Sequence, residues 1–398
     1  MDKKTKQLLT RGVVEIIQQK RVQEKIESGK ALRVKFGIDP TGSDLHIGHT
    51  VNLWKLRQFQ EIGHTAVIII GDYTASIGDP SGKDTTRPQL SGEQIQENYK
   101  NYEKQALCIL KKDHLEIRKQ TEWFGGFTLK DIIRLMASRS VGEVLAHETF
   151  RKRLETDSPF SCHEVLYPFL QGYDSVAVQA DIELGAIEQK FNLLMGRVVQ
   201  KYYGQEPQDV MMSPYLIGTD GKEKMSKSLG NYIGLQDESN DMFGKVMSVP
   251  DTEIVPYFEM VTDMDSEELE NLKQGEELSG TKARDMKMQL AQTIVSTFHG
   301  KSAAQRAEKT FLSVFQAGDT GKGARDVVVK KQEYVLVDLL VETALSPSKA
   351  ESKRKVEEGA VYVDEVKKTN PYETVHISRS PCVIRIGKRR IVSVRLKD

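Results

Sequence analysis

The feature that most constrains the fold is a short apolar run, TAVIII, at residues 65–70. A continuous run of this length, rich in β-branched residues, is typical of a strand buried on both faces. Residues 31–38, ALRVKFGI, predict an earlier strand. Between them, residues 45–63 carry apolar side chains at helical spacing, with Ser43 or Asp44 as the predicted N-cap and Gly63 as the end. This strand–helix–strand order predicts an α/β fold with a Rossmann-like parallel sheet.

Length and composition favour a globular intracellular protein. The 398 residues suggest about two or three domains. The longest apolar stretch, residues 66–70, is too short to span a bilayer, and no apolar run follows the charged N-terminal MDKKTKQ. Three cysteines without a CxxC pair argue against a disulfide framework and a zinc site. We therefore expect a cytoplasmic protein with no membrane partner and no structural metal.

Charge is unevenly distributed along a chain whose formal net charge is zero. From Ser346 to the end, 13 Lys or Arg stand against 7 Asp or Glu, so this segment carries +6 and the remainder −6. The asymmetry suggests a tail that contacts RNA, although a solvated basic surface explains the charge count as well.

Two histidines lie at the predicted start of the first helix, in DLHIGHT at residues 44–50. His46 and His49 are three residues apart and so share a helix face, beside free N–H groups that favour anions. Gly48 would let a ligand approach the backbone. The pair suits a developing phosphate charge better than a metal, because no third ligand is near in sequence. Two ordinary polar histidines remain an equal alternative for this motif alone.

A lysine-rich segment, KEKMSKSLG, occupies residues 222–230 after the turn signal TDG. Lys222, Lys224 and Lys227 are predicted to ride on a mobile surface loop. Ammonium groups on such a loop can close over a polyphosphate, although a solvated charge run is the usual explanation.

Taken together, HIGH at residues 46–49 followed by KMSKS at 224–228 resembles the class I aminoacyl-tRNA synthetases. Residues 71–83 (GDYTASIGDPSGK), 163–185 and 189–197 look like the bacterial tyrosyl-tRNA synthetases. The resemblance runs from about Leu32 to Leu396. It implies that ATP, with Mg²⁺, activates L-tyrosine as tyrosyl-adenylate, that tRNA-Tyr accepts the aminoacyl group, and that the protein is a homodimer.

The helix around residues 163–177 supplies the predicted amino-acid pocket. Tyr167, Gln171 and Asp174 lie at i, i+4 and i+7, on one face. By resemblance Asp174 binds the phenolic hydroxyl, Tyr167 and Gln171 hold the α-ammonium group with Asp79, Gln189 lies near the carboxylate, and Lys35 belongs to the same site. Rejecting phenylalanine through an unpaired buried acceptor is already the standard example for enzymes of this type. The alternative is an amphipathic helix with a polar surface stripe.

The resemblance also assigns the nucleotide and catalytic residues. Catalysis is expected from positioning and charge stabilisation, with no nucleophilic side chain. The residues assigned to phosphate chemistry are His46, His49, Lys83, Arg87, Lys224 and Lys227. Those assigned to ATP binding are Gly37, Asp39, Thr41, Gly48, Ala186, Glu188, Lys224 and Lys227.

The chain departs from the family pattern at residues 185–189, which read GAIEQ where relatives typically have GGTDQ or GGSDQ. Ala186 replaces a glycine that lies against the ribose, and Glu188 replaces an aspartate expected to bind its hydroxyls. Residues 143–149, EVLAHET, are less basic than usual. Either the pocket has repacked around the same substrates, or the chain is a paralogue with a changed substrate, a non-tRNA acceptor or reduced activity, down to a silent RNA-binding protein.

The C-terminal part predicts two further domains. Helical patterns from about Phe243 include an Asp265 cap, a helix capped by Thr281 and a Gly300 stop. Residues 316–331 are the predicted linker. Beyond them the order helix, Ser-Pro break, basic helix, Gly stop and strand resembles an S4 RNA-binding domain, with a hairpin turn at Lys388, Arg389 and Arg390. The expected domains are 1–235 (catalytic), 236–330 (helical, anticodon-binding) and 331–398 (S4-like).

Overall fold

The computed structural model describes residues 3–40, 42, 44–81, 92–146, 148–158, 161–275, 278–316, 325–364, 366–387 and 390–397. The chain divides into two compact units. The first comprises Met1–Gln236 and Val249–Ala283, and the second comprises Asp237–Ser248 and Arg284–Asp398.

The elements of residues 3–236 alternate between helices and strands. In chain order they are α1 (Lys3–Thr10), β1 (Glu15–Ile17), α2 (Gln19–Glu27), β2 (Arg33–Ile38), α3 (Ile47–Glu61), β3 (Thr65–Ile70), α4 (Thr74–Ile77), α5 (Gly92–Ala106), β4 (Leu115–Lys119), α6 (Thr121–Phe124), α7 (Leu129–Met136), α8 (Val141–Leu145), α9 (Glu148–Glu155), α10 (Cys162–Ala177), β5 (Ile182–Ala186), a 3₁₀ turn (Ile187–Gln189), α11 (Lys190–Tyr202) and β6 (Asp209–Ser213).

The remaining elements are mainly helical before residue 316 and mainly strands after it. They are α12 (Ser239–Met247), a 3₁₀ turn (Asp251–Glu253), α13 (Ile254–Val261), α14 (Ser266–Gln274), α15 (Gly280–His299), α16 (Lys301–Gln316), β7 (Arg325–Val329), β8 (Glu333–Val335), α17 (Leu336–Glu342), α18 (Lys349–Glu357), β9 (Val361–Val363), β10 (Val366–Lys368), β11 (Thr374–His376), β12 (Cys382–Ile386) and β13 (Arg390–Leu396).

The predicted parallel sheet is confirmed in the first unit. Among the described residues six strands pair in the order β1-β6-β5-β2-β3-β4, and all neighbours except β1 and β6 are parallel. The chain runs from β2 outward through β3 and β4, then returns to β5 on the other side of β2. The order therefore reverses between β2 and β5, the switch point at which open α/β sheets bind ligands.

The apolar run at residues 65–70 lies in the interior of this sheet. β3 pairs with β2 on one side and β4 on the other, and residues 66–70 are all buried. A strand covered on both faces needs apolar side chains at every position, which explains why the run does not alternate.

Local helix ends differ from prediction in two places. The N-cap of α3 is His46, in extended backbone, so the helix starts later than a cap at Ser43 or Asp44 would place it. Ser43 itself lies outside the described residues. α15 begins at Gly280, which puts the predicted cap, Thr281, inside the helix. Asp265 does cap α14, and its carboxylate accepts a hydrogen bond from the Glu267 amide at 2.7 Å.

The second unit contains helices and a small β structure. Its α17 and α18 belong to the core of a five-stranded sheet with the order β10-β9-β12-β13-β7, counted over the part of the chain that the structure describes. β7 pairs in parallel with β13 at residues 325–329. That stretch was predicted to be linker, and the prediction is wrong for it because its valines complete the sheet. Residues 317–324, and the turn residues Lys388 and Arg389, lie outside the described residues.

In the described ranges no helix combines the length and the apolar character that crossing a membrane would need.

Candidate active site

A cavity of ≈ 460 Å³ opens at the carboxyl ends of β2, β3, β5 and β6 in the first unit. It lies where the strand order reverses, so short loops from several strands converge on it. The structure brings together most of the residues predicted for the site. Those lining the cavity are Gly37, Asp39, His46, Gly48, His49, Asp79, Tyr167, Gln171, Asp174, Ala186, Glu188, Gln189 and Lys224.

Of the predicted residues that the structure describes, Lys35 and Lys227 do not line this cavity. Thr41, Lys83 and Arg87 lie outside the described residues. Lys227 donates to the backbone oxygen of Asp44 at the entry to α3. Lys35 lies beneath the cavity.

The two histidines form one wall at the start of α3. Their ring centroids are 3.8 Å apart, and the His46 amide donates to His49 Nδ1 at 3.1 Å. Because Nδ1 accepts that bond, a neutral His49 carries its proton on Nε2, where it serves as a donor. A Cβ atom at Gly48 would lie 3.0 Å from the His46 ring, so any larger residue would require the ring to shift.

Both imidazoles are neutral at physiological pH. Burial, followed by the charges of His49, Lys227 and Lys224, lowers the pKa of His46 to about 2. Burial, followed by Lys227 and Lys224, lowers the pKa of His49 to about 4. The two side chains therefore act as neutral hydrogen-bond donors rather than as imidazolium cations.

The lysine loop, residues 222–230, lies against the same helix start. The segment that follows the loop pairs with the chain on both sides of His46. The Ile47 amide donates to Ile233 O, and the Leu235 amide donates to Leu45 O, each at 2.9 Å. Asn231, directly after the loop, anchors it: its Oδ1 accepts from the Ser226 amide at 2.8 Å, and its Nδ2 donates to Asp220 at 2.9 Å. Backbone pairing therefore brings the histidine and lysine motifs to one cavity.

Lys224 crosses the cavity to the opposite wall. Its ammonium group forms an ion pair with Glu188, which follows β5 in the GAIEQ segment. The pKa of Lys227 is lowered by burial, and the charge of Asp44 offsets only part of that effect.

The inner end of the cavity is formed by α10. Tyr167, Gln171 and Asp174 lie on one face, as predicted, and all are buried. The Tyr167 hydroxyl donates to Asp39 Oδ2 at 2.8 Å, while Gln171 Nε2 donates to Glu183 at 3.0 Å.

Asp174 is a buried acceptor surrounded by donors. Its Oδ2 accepts from Gln120 at 2.8 Å, and its Oδ1 accepts from the Trp123 indole at 3.1 Å. Burial raises the pKa of Asp174 to about 8, although Lys35 and the Gln120 bond oppose the rise. Two fixed donors hold the carboxyl group in place while leaving lone pairs free to receive a hydroxyl.

Lys35 requires a correction to its predicted role as a tyrosine contact. Its ammonium group is fully buried, pairs with the buried carboxylate of Glu183 at 2.9 Å, and also donates to Gln171 O and to Ser175. Its donors are thus engaged below the cavity. It influences the site through charge, as the pKa of Asp174 shows.

The remaining polar wall holds Asp79. Gln189 donates to its Oδ2 at 3.1 Å, and Asn192 donates to its Oδ1 at 3.3 Å. Asp79 and Gln189, far apart in sequence, therefore form one polar corner.

Gln120 is a site residue that sequence reasoning missed. Besides contacting Asp174, its Oε1 accepts from the Thr74 amide at 2.9 Å, and Thr74 donates its hydroxyl to Asp39 at 2.6 Å. Gln120 follows β4, so the rule that ligands bind at carboxyl ends of parallel strands would have indicated it once that strand was recognised.

Comparisons with known proteins agree with this geometry. Residues 27–316 match the family described as tRNA synthetases class I (W and Y), and residues 317–394 match the tyrosine–tRNA ligase SYY-like C-terminal domain.

Individual relatives span nearly the whole chain. A tyrosine–tRNA ligase of Moorella thermoacetica is 44% identical over 387 residues, covering 96% of this chain and 94% of the relative. One from Legionella pneumophila (strain Lens) is 44% identical over 391 residues, covering 98% and 97%. A truncated mitochondrial tyrosyl-tRNA synthetase of Aspergillus nidulans, 18% identical, shares the fold with a TM-score of 0.67 over 79% of this chain and 95% of that one.

Proposed function

The chain belongs to the class I tRNA synthetase family of tryptophan and tyrosine enzymes, and we propose that it activates L-tyrosine with ATP and transfers the tyrosyl group to the 3′ end of tRNA-Tyr. One observation carries the proposal. The histidine and lysine motifs meet in a cavity whose inner end presents a buried carboxyl group between two fixed donors.

The amino-acid end of the cavity fits tyrosine. Asp174 receives the phenolic hydroxyl, while Tyr167, Gln171 and Asp79 surround the α-ammonium group and Gln189 lies beside the carboxylate. Phenylalanine leaves Asp174 without its hydroxyl partner. A site built for a hydroxyl rejects the analogue that lacks it by about 10⁴–10⁵-fold, a magnitude established with enzymes of this kind.

The nucleotide end stabilises charge. Asp39, Thr41, Gly37, Gly48, Ala186 and Glu188 hold ATP, and its triphosphate lies toward His46, His49, Lys224 and Lys227, with Lys83 and Arg87 assigned to pyrophosphate. The tyrosine carboxylate attacks the α-phosphate, and pyrophosphate leaves. Neutral imidazole N–H groups and ammonium groups stabilise the charge that develops, so positioning supplies the catalysis. The tRNA hydroxyl then attacks the activated carbonyl, and AMP leaves.

Magnesium enters with ATP as the counter-ion of the triphosphate. Within the described residues no group of three or more His, Cys, Asp or Glu side chains is placed to hold a metal ion.

The domain roles and the location follow the family. Residues 1–235 catalyse activation, residues 236–330 read the anticodon, and residues 331–398 bind the tRNA as an S4-like domain. We place the protein in the cytoplasm, where tRNA is charged.

The decisive experiment is ATP–pyrophosphate exchange with a panel of amino acids and close tyrosine analogues, followed by charging of total tRNA. Exchange that depends on tyrosine and charging of tRNA-Tyr support the proposal. Exchange with an analogue but not tyrosine, or exchange without charging, would instead favour a paralogue with a different substrate or acceptor. No exchange with any amino acid would point to a silent RNA-binding protein.

A homodimer is proposed through α7. Leu129, Ile133 and Met136 lie on one face of that helix, and are 75%, 61% and 41% exposed; Val141 nearby is 74% exposed. An apolar face of this kind is typical of a protein interface. Light scattering should show a dimer that Ile133→Asp converts to a monomer, whereas the control Lys130→Asp, on the same helix, leaves it dimeric. A wild-type monomer, or an Ile133→Asp dimer, would refute the interface.

A further inference from the structure

The Lys224–Glu188 ion pair joins two opposite walls of the cavity. Lys224 belongs to the lysine loop, and Glu188 belongs to the turn after β5. Both side chains remain partly exposed, at 48% and 31%. An ion pair in contact with water is weak enough to be broken by a competing anion.

The partner of Lys224 has a long side chain. From the same backbone position a glutamate extends further than an aspartate would, by one carbon–carbon bond of about 1.5 Å. Glu188 can therefore reach the lysine loop. The same loop is attached at a second point, where Lys227 donates to the backbone oxygen of Asp44.

We infer that Glu188 is a positioning residue that holds Lys224 across the cavity in the ligand-free protein and competes with the ATP triphosphate for its ammonium group. Arrival of the triphosphate draws Lys224 away, and the released carboxylate becomes available to the ribose hydroxyls. The inference rests on the proposed ATP site and adds an exchange of partners to it. It assigns Glu188 a role in holding the lysine loop before ATP binds.

The first test follows the loop in the ligand-free protein. Hydrogen–deuterium exchange over residues 222–230 is compared for wild type, Glu188→Gln, Glu188→Asp and Glu223→Gln. We expect faster exchange in both Glu188 variants, because the first removes the charge and the second shortens its reach. Glu223→Gln removes an equal charge from the exposed side of the loop and should match wild type. Unchanged exchange in both Glu188 variants would overturn the inference.

The second test uses inorganic tripolyphosphate, which has no ribose. Calorimetry should show that Glu188→Gln and Glu188→Asp each bind it about two- to five-fold more tightly than wild type, the gain expected from removing a competing exposed ion pair. In a Lys224→Ala background the same substitutions should produce no gain. A gain from Glu188→Gln that persists without Lys224 would mean general electrostatics and would refute the competition.

These readouts are separate from the proposed function. Loop exchange and tripolyphosphate binding need no amino acid or tRNA, whereas the function is tested by tyrosine-dependent pyrophosphate exchange in the wild-type protein. Either can fail while the other stands.

Discussion

At the scale of single residues, Asp174 makes a prediction about specificity and pH. Burial raises the pKa of its carboxyl group to about 8, so the group is largely protonated at neutral pH and ionises as the pH rises through 8. A carboxylate accepts a hydroxyl more strongly than a neutral acid does. The preference for tyrosine over phenylalanine should therefore increase between pH 7 and 9. Taking the ratio of kcat/KM in pyrophosphate exchange cancels the titration of the shared α-amino group.

The matched variant for this measurement is Asp174→Asn, because asparagine has nearly the same shape as aspartate but no ionisable group. Its preference should be lower and independent of pH. A wild-type ratio that stays flat over the same range would show that Asp174 does not contact the phenol or does not titrate there.

His49 makes a second residue-scale prediction. Because its pKa is lowered to about 4 and that of His46 to about 2, neither imidazole titrates between pH 5.5 and 8. Adenylate formation should show no transition near pH 6.5, and His49→Ala should slow it about 10²–10³-fold, the cost of losing one preorganised donor. Lys224→Ala should slow it strongly as well. Single-turnover kinetics measure both, with exposed His299→Ala as the control.

The same pKa shifts have a consequence for stability. The folded-state pKa values lie below the ordinary 6.5, so the unfolded chain takes up protons first as the pH falls. The contribution of both histidines is present above about pH 6.5 and declines as the pH falls, toward about pH 4 for His49 and about pH 2 for His46. Wild-type adenylation rates in His49→Ala, or a rate that follows a histidine near pH 6.5, would contradict the neutral-donor role.

At the scale of elements, the buried Lys35–Glu183 pair joins β2 to β5 next to α10. Glu183 also accepts from Gln171 and Ser175, so removing Lys35 leaves a buried carboxylate without its counter-charge. We expect Lys35→Met to lower the free energy of unfolding by about 3–5 kcal/mol, and the double variant Lys35→Met/Glu183→Gln to lose less. Urea unfolding can be followed by fluorescence, because Trp54 and Trp123 both lie in the first unit.

The control for this prediction is an exposed pair of the same unit. Arg151 and Glu155 are 61% and 68% exposed and 3.8 Å apart, so Arg151→Ala should cost less than about 1 kcal/mol. If Lys35→Met cost no more than Arg151→Ala, or if the double variant were the less stable, the buried pair would not have the role assigned to it.

Elements were predictable from sequence where one pattern dominates. The uninterrupted run in β3 is confirmed as a buried strand. The i, i+4, i+7 face of α10 is confirmed as a buried face, which excludes the alternative of a polar surface stripe. The N-cap of α3 was not predictable. The backbone of His46 is held extended by the antiparallel bridge to Gly234, and such a distant contact leaves no local signal. Strand β7 escaped for the same reason, because its partner β13 comes much later in the chain.

At the scale of the whole molecule, the two sequence motifs predict a shared cavity, but they do not predict which side chains pair within it. Glu188 and Lys224 are separated by 36 residues, and the ion pair between them depends on how the loop after β6 returns over β5. Gln120 likewise reaches Asp174 across 54 residues. A sequence motif identifies the residue types that a reaction requires. The hydrogen bonds and ion pairs that hold those residues in place depend on how the chain folds.

The basic helix α18 leads to the last prediction. Lys349, Lys353 and Arg354 are 71%, 48% and 66% exposed, and each forms an ion pair with a surface carboxylate, at 2.7, 3.9 and 3.7 Å. The ammonium group of Lys353 also lies 5.8 Å from the centroid of the Tyr372 ring. Exposed pairs are weak, so phosphates can replace these carboxylates. Changing all three residues to alanine should raise the KM for tRNA-Tyr about ten-fold or more. The slope of log K against log salt concentration for tRNA binding should become shallower by about two to three. Pyrophosphate exchange should stay unchanged, because it needs no tRNA.

The comparison variant removes Lys111 and Lys112, two exposed lysines of the first unit, and should alter neither reaction. Charging assays across a salt series, run beside pyrophosphate exchange, separate the outcomes. A parallel fall in both reactions would mean that the triple variant has damaged the protein. Wild-type charging would mean that α18 does not face the tRNA, and that the +6 segment is only a solvated basic surface. Selective loss of charging is the result that links the basic tail to the RNA substrate, since a surface that served solubility alone would leave tRNA binding and its salt dependence as they were.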